Sequence, residues 1–543
     1  MKIAIAQINT MVGDFEGNKK KILHFLEKAE DMDSDIVVFS ELTICGYSPR
    51  DLLDKRVFIE ENLSAVNDIA VKTRSTAVAI GHVGFNQSKT GRALFNQASL
   101  LYEGKIRFSQ AKTLLPEYDV FDEKRYFEPA TVHDVHNFKG LNVGLSLCED
   151  LWSQHEFGDR KLYIQDPLAI LAQNGVQVLL NLSASPFAIG KDLIRKQLVG
   201  NAARKFSIPL FYSNMVGGND ELVFDGRSSV ADNQGNIIAE GKAFQEDLFL
   251  VDLDKTSKAL KLENMEDEED VLGALVLGLR DYMRKCSFKK VVVGLSGGID
   301  SALVVAIASI AVGPENVMAI TLSSPYTSKQ SIEDAYKVAE NCKISVQTIS
   351  INDAFHAYQD VIQTIKEDKS AELALENIQA RIRGNILMAY SNINGALVLS
   401  TGNKSELSVG YCTLYGDMAG GLAIISDLPK TMVYRLSNYI NKKKKFIPDS
   451  VINKAPTAEL KPNQTDQDVL PPYEILDEIL KEYVENHTSF ETIVAKGFDG
   501  SVVKDVLRRV NLNEYKRRQS PPGLKVTSKA FGSGRRFPIA WKG

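Results

Sequence analysis

The stretch Val291-Val-Val-Gly-Leu-Ser-Gly-Gly-Ile-Asp-Ser301 joins an apolar β-branched run to three glycines and a helix-forming segment. Gly294, Gly297 and Gly298 let the backbone turn sharply and come close to a ligand. The free N–H groups that open the next helix, at its positive end, then converge on one spot, an anion site suited to a phosphate chain. No lysine follows these glycines, so the loop is not the mononucleotide-kinase form. The plain alternative is a tight strand-to-helix turn. A second set is Glu41, Lys112 and Cys148. A free thiol is only a few per cent thiolate at neutral pH. A carboxylate can take its proton, and an ammonium can hold the oxyanion formed when sulfur attacks a carbonyl, with backbone N–H groups after Cys148 sharing that load. Other readings stay open: Cys148 as a small core residue, Glu41 and Lys112 as surface ions, and Cys45 as a rival nucleophile.

Regular elements must hold these residues in place. Residues 2–8 alternate and are β-branched, which predicts a strand, and Ile22, Phe25, Leu26 and Ala29 share one face of a helix over 18–32. Apolar runs at 36–40, 77–83, 141–147 and 176–182 predict further strands, and 95–102 pairs with 105–109 as a hairpin about Gly104. Glu41 and Cys148 then stand at strand C-termini. Residues 211–215 and 228–230 read as late strands joined through the glycine-rich 216–220, and 248–253 closes the layer. The first domain is expected over 1–253, a charged linker over 254–270 and a second domain over 271–543. In the second, a helix over 271–286 precedes strands at 291–293, 317–321, 344–351 and 396–400, with helices at 302–312, 332–341 and 372–390 between them. Strands alternating with helices make the fold class α/β, with sites at strand ends, and the second half a doubly wound parallel sheet with its ligand at the switch point. Residues 401–417 read as an exposed loop of small polar residues, and 460–472, with three prolines, as a mobile loop.

A hydrophobic content of 44%, a charged content of 24% and a net charge of −5 over 543 residues describe a globular chain of two or more cores. Bulk attraction to nucleic acid or membrane is not indicated, and no secretion signal or bilayer-spanning stretch is visible. The five cysteines are scattered and lack a C-x-x-C pair, which points to the cytoplasm and away from a disulfide frame or zinc cluster. His133 and His136 read as ordinary loop residues.

The string Ser296-Gly-Gly-Ile-Asp-Ser301 resembles the pyrophosphate loop of ATP pyrophosphatases, a doubly wound fold of the adenine nucleotide alpha hydrolase kind. Ser40-Glu-Leu, Gly46-Tyr47, the run from Lys112-Thr-Leu-Leu-Pro to Glu123, and Leu147-Cys-Glu-Asp-Leu-Trp152 resemble the nitrilase superfamily, an αββα sandwich. Together, over nearly the whole chain, they resemble the glutamine-dependent NAD synthetase family. That resemblance implies Glu41 as general base, Lys112 as oxyanion stabiliser and Cys148 as nucleophile. It implies a glutamine pocket with Tyr118, Glu123, Ser185 and Lys191, and less directly Tyr47, while the role of Trp152 stays open. It makes Gly294, Leu295, Ser296, Gly297, Gly298, Ile299, Asp300 and Ser301 the ATP loop, with Thr401, Lys430 and Thr457 also approaching ATP. Asn377, Arg381, Glu406 and Lys516 would contact deamido-NAD. Asp300 and Glu406, two hard carboxylates at neighbouring strand ends, suit Mg²⁺ bridging ATP phosphates.

The reaction so implied converts deamido-NAD, ATP and glutamine into NAD, AMP, diphosphate and glutamate. A carboxylate has too poor a leaving group to react with ammonia, so adenylation must come first, and a cysteine amidase supplies the ammonia through a thioester. The partners expected are these small molecules and, by family likeness, further copies of the chain. Three competing readings stand: another glutamine-fed ATP pyrophosphatase, a plain carbon–nitrogen hydrolase with a non-catalytic partner domain, and a non-enzymatic binding module.

Overall fold

The computed structural model describes residues 1–541 except 155, 158–159, 256–257, 262–265, 366–370 and 463. The chain divides into two compact units, Met1–Met265 and Glu266–Gly543.

In the first unit, β1 (Lys2–Gln7), β2 (Ile36–Val38), β3 (Ala77–Phe85), β4 (Leu94–Tyr102) and β5 (Lys105–Ala111) join β16 (Asp247–Asp252) in a six-stranded sheet ordered β16-β1-β2-β3-β4-β5. A second six-stranded sheet contains β6 (His136–Phe138), β7 (Leu141–Leu147), β10 (Val178–Ser183), β11 (Leu210–Asn214), β14 (Ser229–Ala231) and β15 (Ile237–Glu240), ordered β15-β14-β11-β10-β7-β6. Between β7 and β10 lie two short strands, β8 (Glu156–Phe157) and β9 (Arg160–Lys161). Strand alternation sorts the core into layers. Ile3, Ile5, Ile36 and Val38 of one sheet pack on Val143, Leu145, Leu180 and Leu182 of the other. Ala4, Ala6 and Val37 point the opposite way, against α1 (Phe15–Asp31) and α2 (Arg56–Lys72). α3 (Pro167–Gln173) and α4 (Lys191–Phe206) cover the far side of the second sheet through Leu168, Leu171, Val199 and Ala203. The layers are therefore helix, sheet, sheet, helix, as expected. The glycine-rich 216–220 is not a plain connector: Val216–Asn219 is β12 and pairs antiparallel with β13 (Leu222–Asp225). Gly217, at φ 129°, takes a backbone conformation closed to side-chained residues, which lets this stretch pair.

In the second unit, α5 (Asp267–Lys285) leads into β17 (Lys290–Gly294), α6 (Ile299–Val312), β18 (Val317–Ser323), α7 (Lys329–Cys342) and β19 (Ser345–Ser350). α8 (Asn352–Ile365) and α9 (Ala371–Asn394) then return the chain to β20 (Ala396–Ser400), α10 (Lys404–Val409) and β21 (Leu422–Ala423), followed by α11 (Lys430–Lys443). The sheet is wholly parallel and ordered β19-β18-β17-β20-β21, so the winding reverses between β17 and β20. In such sheets the crevice at that reversal receives ligands.

Two expectations about local structure are corrected. Residues 267–270 belong to α5 rather than to a linker; four acidic residues in its first turn complement the helix dipole, and residues 256–257 and 262–265 of the expected linker lie outside the described residues. Part of the 401–417 loop is a buried helix, α10, because Asn403 caps it by accepting from the Glu406 N–H at 2.9 Å and Leu407 and Val409 turn inward.

Gly81 shows how tightly the first unit is built around one acid. A Cβ there would lie 2.5 Å from the Leu42 nitrogen and 2.7 Å from the Glu41 Cα. Gly81→Ala is expected to destabilise the first unit by about 1–3 kcal/mol through overpacking. A urea unfolding midpoint equal to that of the unaltered chain would refute this.

Candidate functional site

Two sites emerge, one in each unit. In the first, β7 delivers Cys148, which adopts φ 35° as it opens a 3-10 turn over Cys148–Gln154. A left-handed conformation at a side-chained residue costs on the order of 1–3 kcal/mol and persists only where its surroundings hold it. Asp150 supplies that hold. Its buried carboxylate accepts from the N–H groups of Thr113 at 3.1 Å and Leu114 at 2.8 Å, and from Leu147 at 3.1 Å. One side chain thus ties the segment after Lys112 to the turn that carries Cys148. Burial pushes its carboxyl up to about 7 despite those three donors.

Lys112, at the end of β5, is wholly buried, and its Nζ lies 2.7 Å from Glu41 Oε1 and 2.8 Å from Glu123 Oε2. Burial alone would pull its ammonium down, but Glu123 and Glu41 outweigh that and hold it well above the usual lysine range. Asn96 donates to Glu41 at 2.8 Å and to Glu123 at 3.3 Å, Tyr47 donates to Glu123 at 3.0 Å, and the Ala184 N–H donates to Glu41 Oε2 at 3.0 Å. Every strong acceptor of Glu41 is therefore aimed. Glu123 is pushed up to about 7 by burial, with Lys112 opposing the rise. Burial also raises the Cys148 thiol well above its usual value; Glu41 adds to the rise and Lys112 opposes it. The resting sulfur is thus a thiol placed beside a base and a cation.

The structure brings the other expected pocket residues to the same place. Tyr118 donates to both oxygens of Glu149, at 3.0 and 3.1 Å, and Tyr163 to one of them at 2.8 Å. The Lys191 ammonium lies 5.7 Å from the centre of the Trp152 ring. Ser185 is buried, with its N–H donating to Asn214 at 2.9 Å. The rival Cys45 sits in the apolar core between α1, α2 and their sheet, and burial pushes its thiol up to about 12. Among the described residues its sulfur hydrogen-bonds only to the Leu42 and Gly46 carbonyls. His133 hydrogen-bonds Thr113 at 2.7 Å, and no metal-holding cluster of histidine, cysteine or carboxylate occurs among the described residues. Sequence reasoning missed Asn96, Glu149, Asp150 and Tyr163. Glu149 and Asp150 carried a signal, two acids next to a cysteine at the end of an apolar strand; Asn96 and Tyr163 carried none.

In the second unit, the turn after β17 is fixed from within. The Ser296 N–H donates to Ser301 Oγ at 3.2 Å, and Ser301 Oγ donates to the Gly298 carbonyl at 3.0 Å. Gly297 has φ 78°, and a Cβ there would lie 2.2 Å from the Ser331 carbonyl oxygen, so only glycine fits. Every residue from Gly294 to Ser301 except Gly297, together with Thr401, Glu406, Lys430 and Thr457, lines one cavity of about 280 Å³. Within it the Lys430 Nζ lies 2.5 Å from Asp300 and 3.2 Å from Glu406. Burial raises the Glu406 carboxyl to about 8, with Lys430 opposing and Asp300 reinforcing the rise. The two carboxylates meet at the Lys430 ammonium and line the cavity, and hard oxygen ligands of this kind suit Mg²⁺. Thr457 donates to the Gln464 carbonyl at 2.5 Å.

Asn377, Arg381 and Lys516 do not line this cavity. They hold the segment beside it: Asn377 accepts from the Thr413 hydroxyl at 2.8 Å, Arg381 donates to the Leu414 carbonyl at 3.2 Å, and Lys516 donates to the carbonyls of Gly410 and Cys412 at 2.8 Å each.

Comparison with known proteins agrees with this division. Residues 2–261 match the carbon–nitrogen hydrolase family, and residues 271–520 match the NAD synthase family. The chain is 46% identical to the glutamine-dependent NAD(+) synthetase of Synechocystis sp. over 99% of this chain and 98% of that protein. It is 42% identical to that of Thermotoga maritima, with the same coverage. A solved glutamine-dependent NAD+ synthetase from Acinetobacter baumannii, in complex with adenosine diphosphate, is similar with a TM-score of 0.78 and 37% identity, covering 99% of this chain and 98% of that one.

Two outcomes follow from the geometry. Asp150→Ala leaves three backbone donors without their acceptor, a cost of about 1–3 kcal/mol for each unsatisfied group, and frees the Cys148 turn. Alkylation at Cys148, mapped by peptide mass, is expected to change at least tenfold, with exposed Cys286 as the unchanged reference; equal labelling of Cys148 would contradict the clasp. For Glu406 the folded carboxyl is raised from 4.5 to about 8, so the folded chain keeps a proton that the unfolded chain has lost. Its contribution to stability therefore falls as pH rises from about 5 to 8. The stability of Glu406→Gln relative to the unaltered chain should increase over that window, and a constant difference would refute it.

Proposed function

This chain belongs to the glutamine-dependent NAD(+) synthetases, and we propose that Glu41, Lys112 and Cys148 release the ammonia while the cavity of the second unit makes the adenylate. The enzyme is a ligase that uses ATP, glutamine and deamido-NAD(+) to make NAD(+), AMP, diphosphate and glutamate. The observation that carries the assignment of the first site is the buried Lys112 ammonium held between Glu41 and Glu123 beside the Cys148 turn.

In the first unit, Glu41 takes the Cys148 thiol proton as sulfur attacks the glutamine amide carbon. Lys112 and the N–H groups that open the 3-10 turn stabilise the oxyanion. Glu41 returns the proton to the departing nitrogen, and ammonia leaves a thioester. Water, deprotonated by Glu41, then attacks the thioester carbon, and glutamate leaves as the C–S bond breaks and Glu41 returns the proton to the Cys148 sulfur. Glu123 keeps Lys112 charged and in place, as a second acceptor for the buried ammonium. Tyr118, Ser185 and Lys191 bind the amino-acid end of glutamine, and Glu149 lies at the same end through its bonds to Tyr118 and Tyr163.

In the second unit, the Gly294–Ser301 turn and the start of α6 bind the phosphate chain, and Lys430, Thr401 and Thr457 approach the nucleotide. Asp300 and Glu406 would hold Mg²⁺, which would offset the negative charge of the phosphate chain. Asn377, Arg381 and Lys516 support deamido-NAD(+) by fixing the wall at 410–414, with Glu406 facing the same cavity. None of the five cysteines is in a disulfide, which supports a reducing compartment, the cytoplasm. Assembly as a homo-oligomer is supported by family likeness. No helix among the described residues is long and apolar enough to cross a membrane.

Cys148→Ala is expected to abolish NAD(+) formation from glutamine and to leave formation from ammonium within about twofold. Loss of both activities to the same degree would contradict the assignment of Cys148 to ammonia release.

A further inference from the structure

One face of α9 lines the nucleotide cavity through Ala380, Arg383, Gly384 and Leu387, at helical spacing. Three of these are small or apolar; Arg383 is the charged one. Gly294 of the glycine turn meets this face directly, since a Cβ on it would lie 3.1 Å from Leu387 Cδ1, one turn beyond Arg383. The Arg383 Nε donates to the Leu322 carbonyl at 3.0 Å, which anchors the side chain over the end of β18, the strand beside β17. Among the described residues, no carboxylate forms an ion pair with its guanidinium. Glu459 and Asp417 act on it only from a distance, and desolvation pushes it down to about 10. Contrast Lys112 and Lys430, the buried cations described above, each of which has two carboxylate partners. A desolvated guanidinium with no carboxylate beside it is costly, and one that faces a cavity is completed by an anion from outside.

Given the adenylating role assigned to this cavity above, on which this inference rests, we propose that Arg383 binds the α-phosphoryl group of the nucleotide in ATP, in the adenylate and in AMP. The glycine turn and the start of α6 take the diphosphate that leaves. The α-phosphoryl group lies between that diphosphate and the adenosine, and Arg383 is displaced from the turn toward the neighbouring strand. A substrate carboxylate oxygen forms a bond to the α-phosphorus as the bond to the diphosphate oxygen breaks, and diphosphate departs with the electron pair; no proton moves. Forked guanidinium donors match two phosphoryl oxygens. Charge gathers on those oxygens as the carboxylate arrives, so the contact is stronger in the transition state than before it.

The test uses the full-length enzyme and two probes that differ only in the phosphate, AMP and adenosine. Binding is measured by calorimetry for the unaltered enzyme, Arg383→Gln and Arg383→Lys. The expected result is at least a tenfold loss of AMP affinity in Arg383→Gln, an intermediate loss in Arg383→Lys, and adenosine affinity unchanged in both. Retained adenosine affinity reports that the second unit is folded. Equal AMP affinity in all three, or an equal loss for adenosine and AMP, overturns the proposal. If Arg383→Gln does not fold, Arg383→Lys decides by the same AMP-to-adenosine ratio. Failure of the unaltered enzyme to make NAD(+) from ammonium would instead overturn the function assigned to the cavity.

Discussion

A lysine ammonium removed from water and held between two carboxylates is the constraint on which the first unit depends. Taking three charges out of water costs several kcal/mol for each ion, and only close geometry with further hydrogen bonds offsets it. Lys112 has that geometry with Glu41 and Glu123, and Asn96, Tyr47 and the Ala184 N–H complete the acceptors. Because all partners come from different elements, the charge cluster fixes their relative positions: the end of β2, the end of β5, the middle of β4 and the segment after β10. Cys148 enters this frame from β7, with Asp150 as the clasp.

The second unit uses the same arrangement for a different purpose. Lys430, which opens α11, lies between Asp300 of α6 and Glu406 of α10 and is again deeply buried. Here the charges line a cavity large enough for a ligand, and the glycine turn offers N–H groups beside them. In the first site the lysine stays with its carboxylates while an uncharged amide reacts. In the second, a polyanion must enter, and a cation that can release a carboxylate for a phosphate suits that event. The two halves of the reaction therefore place the same three charged groups on opposite sides of the same electrostatic problem, stabilising a transient oxyanion in one and a resident phosphate chain in the other.

Much of this was legible in the sequence. Alternation and helical spacing marked the layers of both units, because the inner strands of each sheet are short, buried apolar runs. Glu41, Cys148 and the glycine turn were legible as polar residues at the ends of such runs. What escaped reading were residues whose meaning depends on contacts far along the chain. Asn96 lies inside β4, where a polar residue looks like an exposed position until β2 and β5 bring Glu41 and Glu123 to it. α10 escaped because its helix is six residues long and held by a cap and by burial rather than by periodicity. Asn377, Arg381 and Lys516 were expected to contact deamido-NAD(+); each meets the 410–414 segment, Asn377 through the Thr413 hydroxyl and the two cations through carbonyls, a relation that spacing does not encode.

The account stands most directly on the charge of residue 112. Steady-state ammonia release from glutamine should be measured for Lys112→Gln alongside NAD(+) formation from ammonium in the same preparation. The account predicts a loss of ammonia release of about 10²–10³-fold or more, the range for removal of one oxyanion-stabilising donor, with ammonium-driven synthesis preserved. Ammonia release within a few-fold of the unaltered enzyme would contradict it.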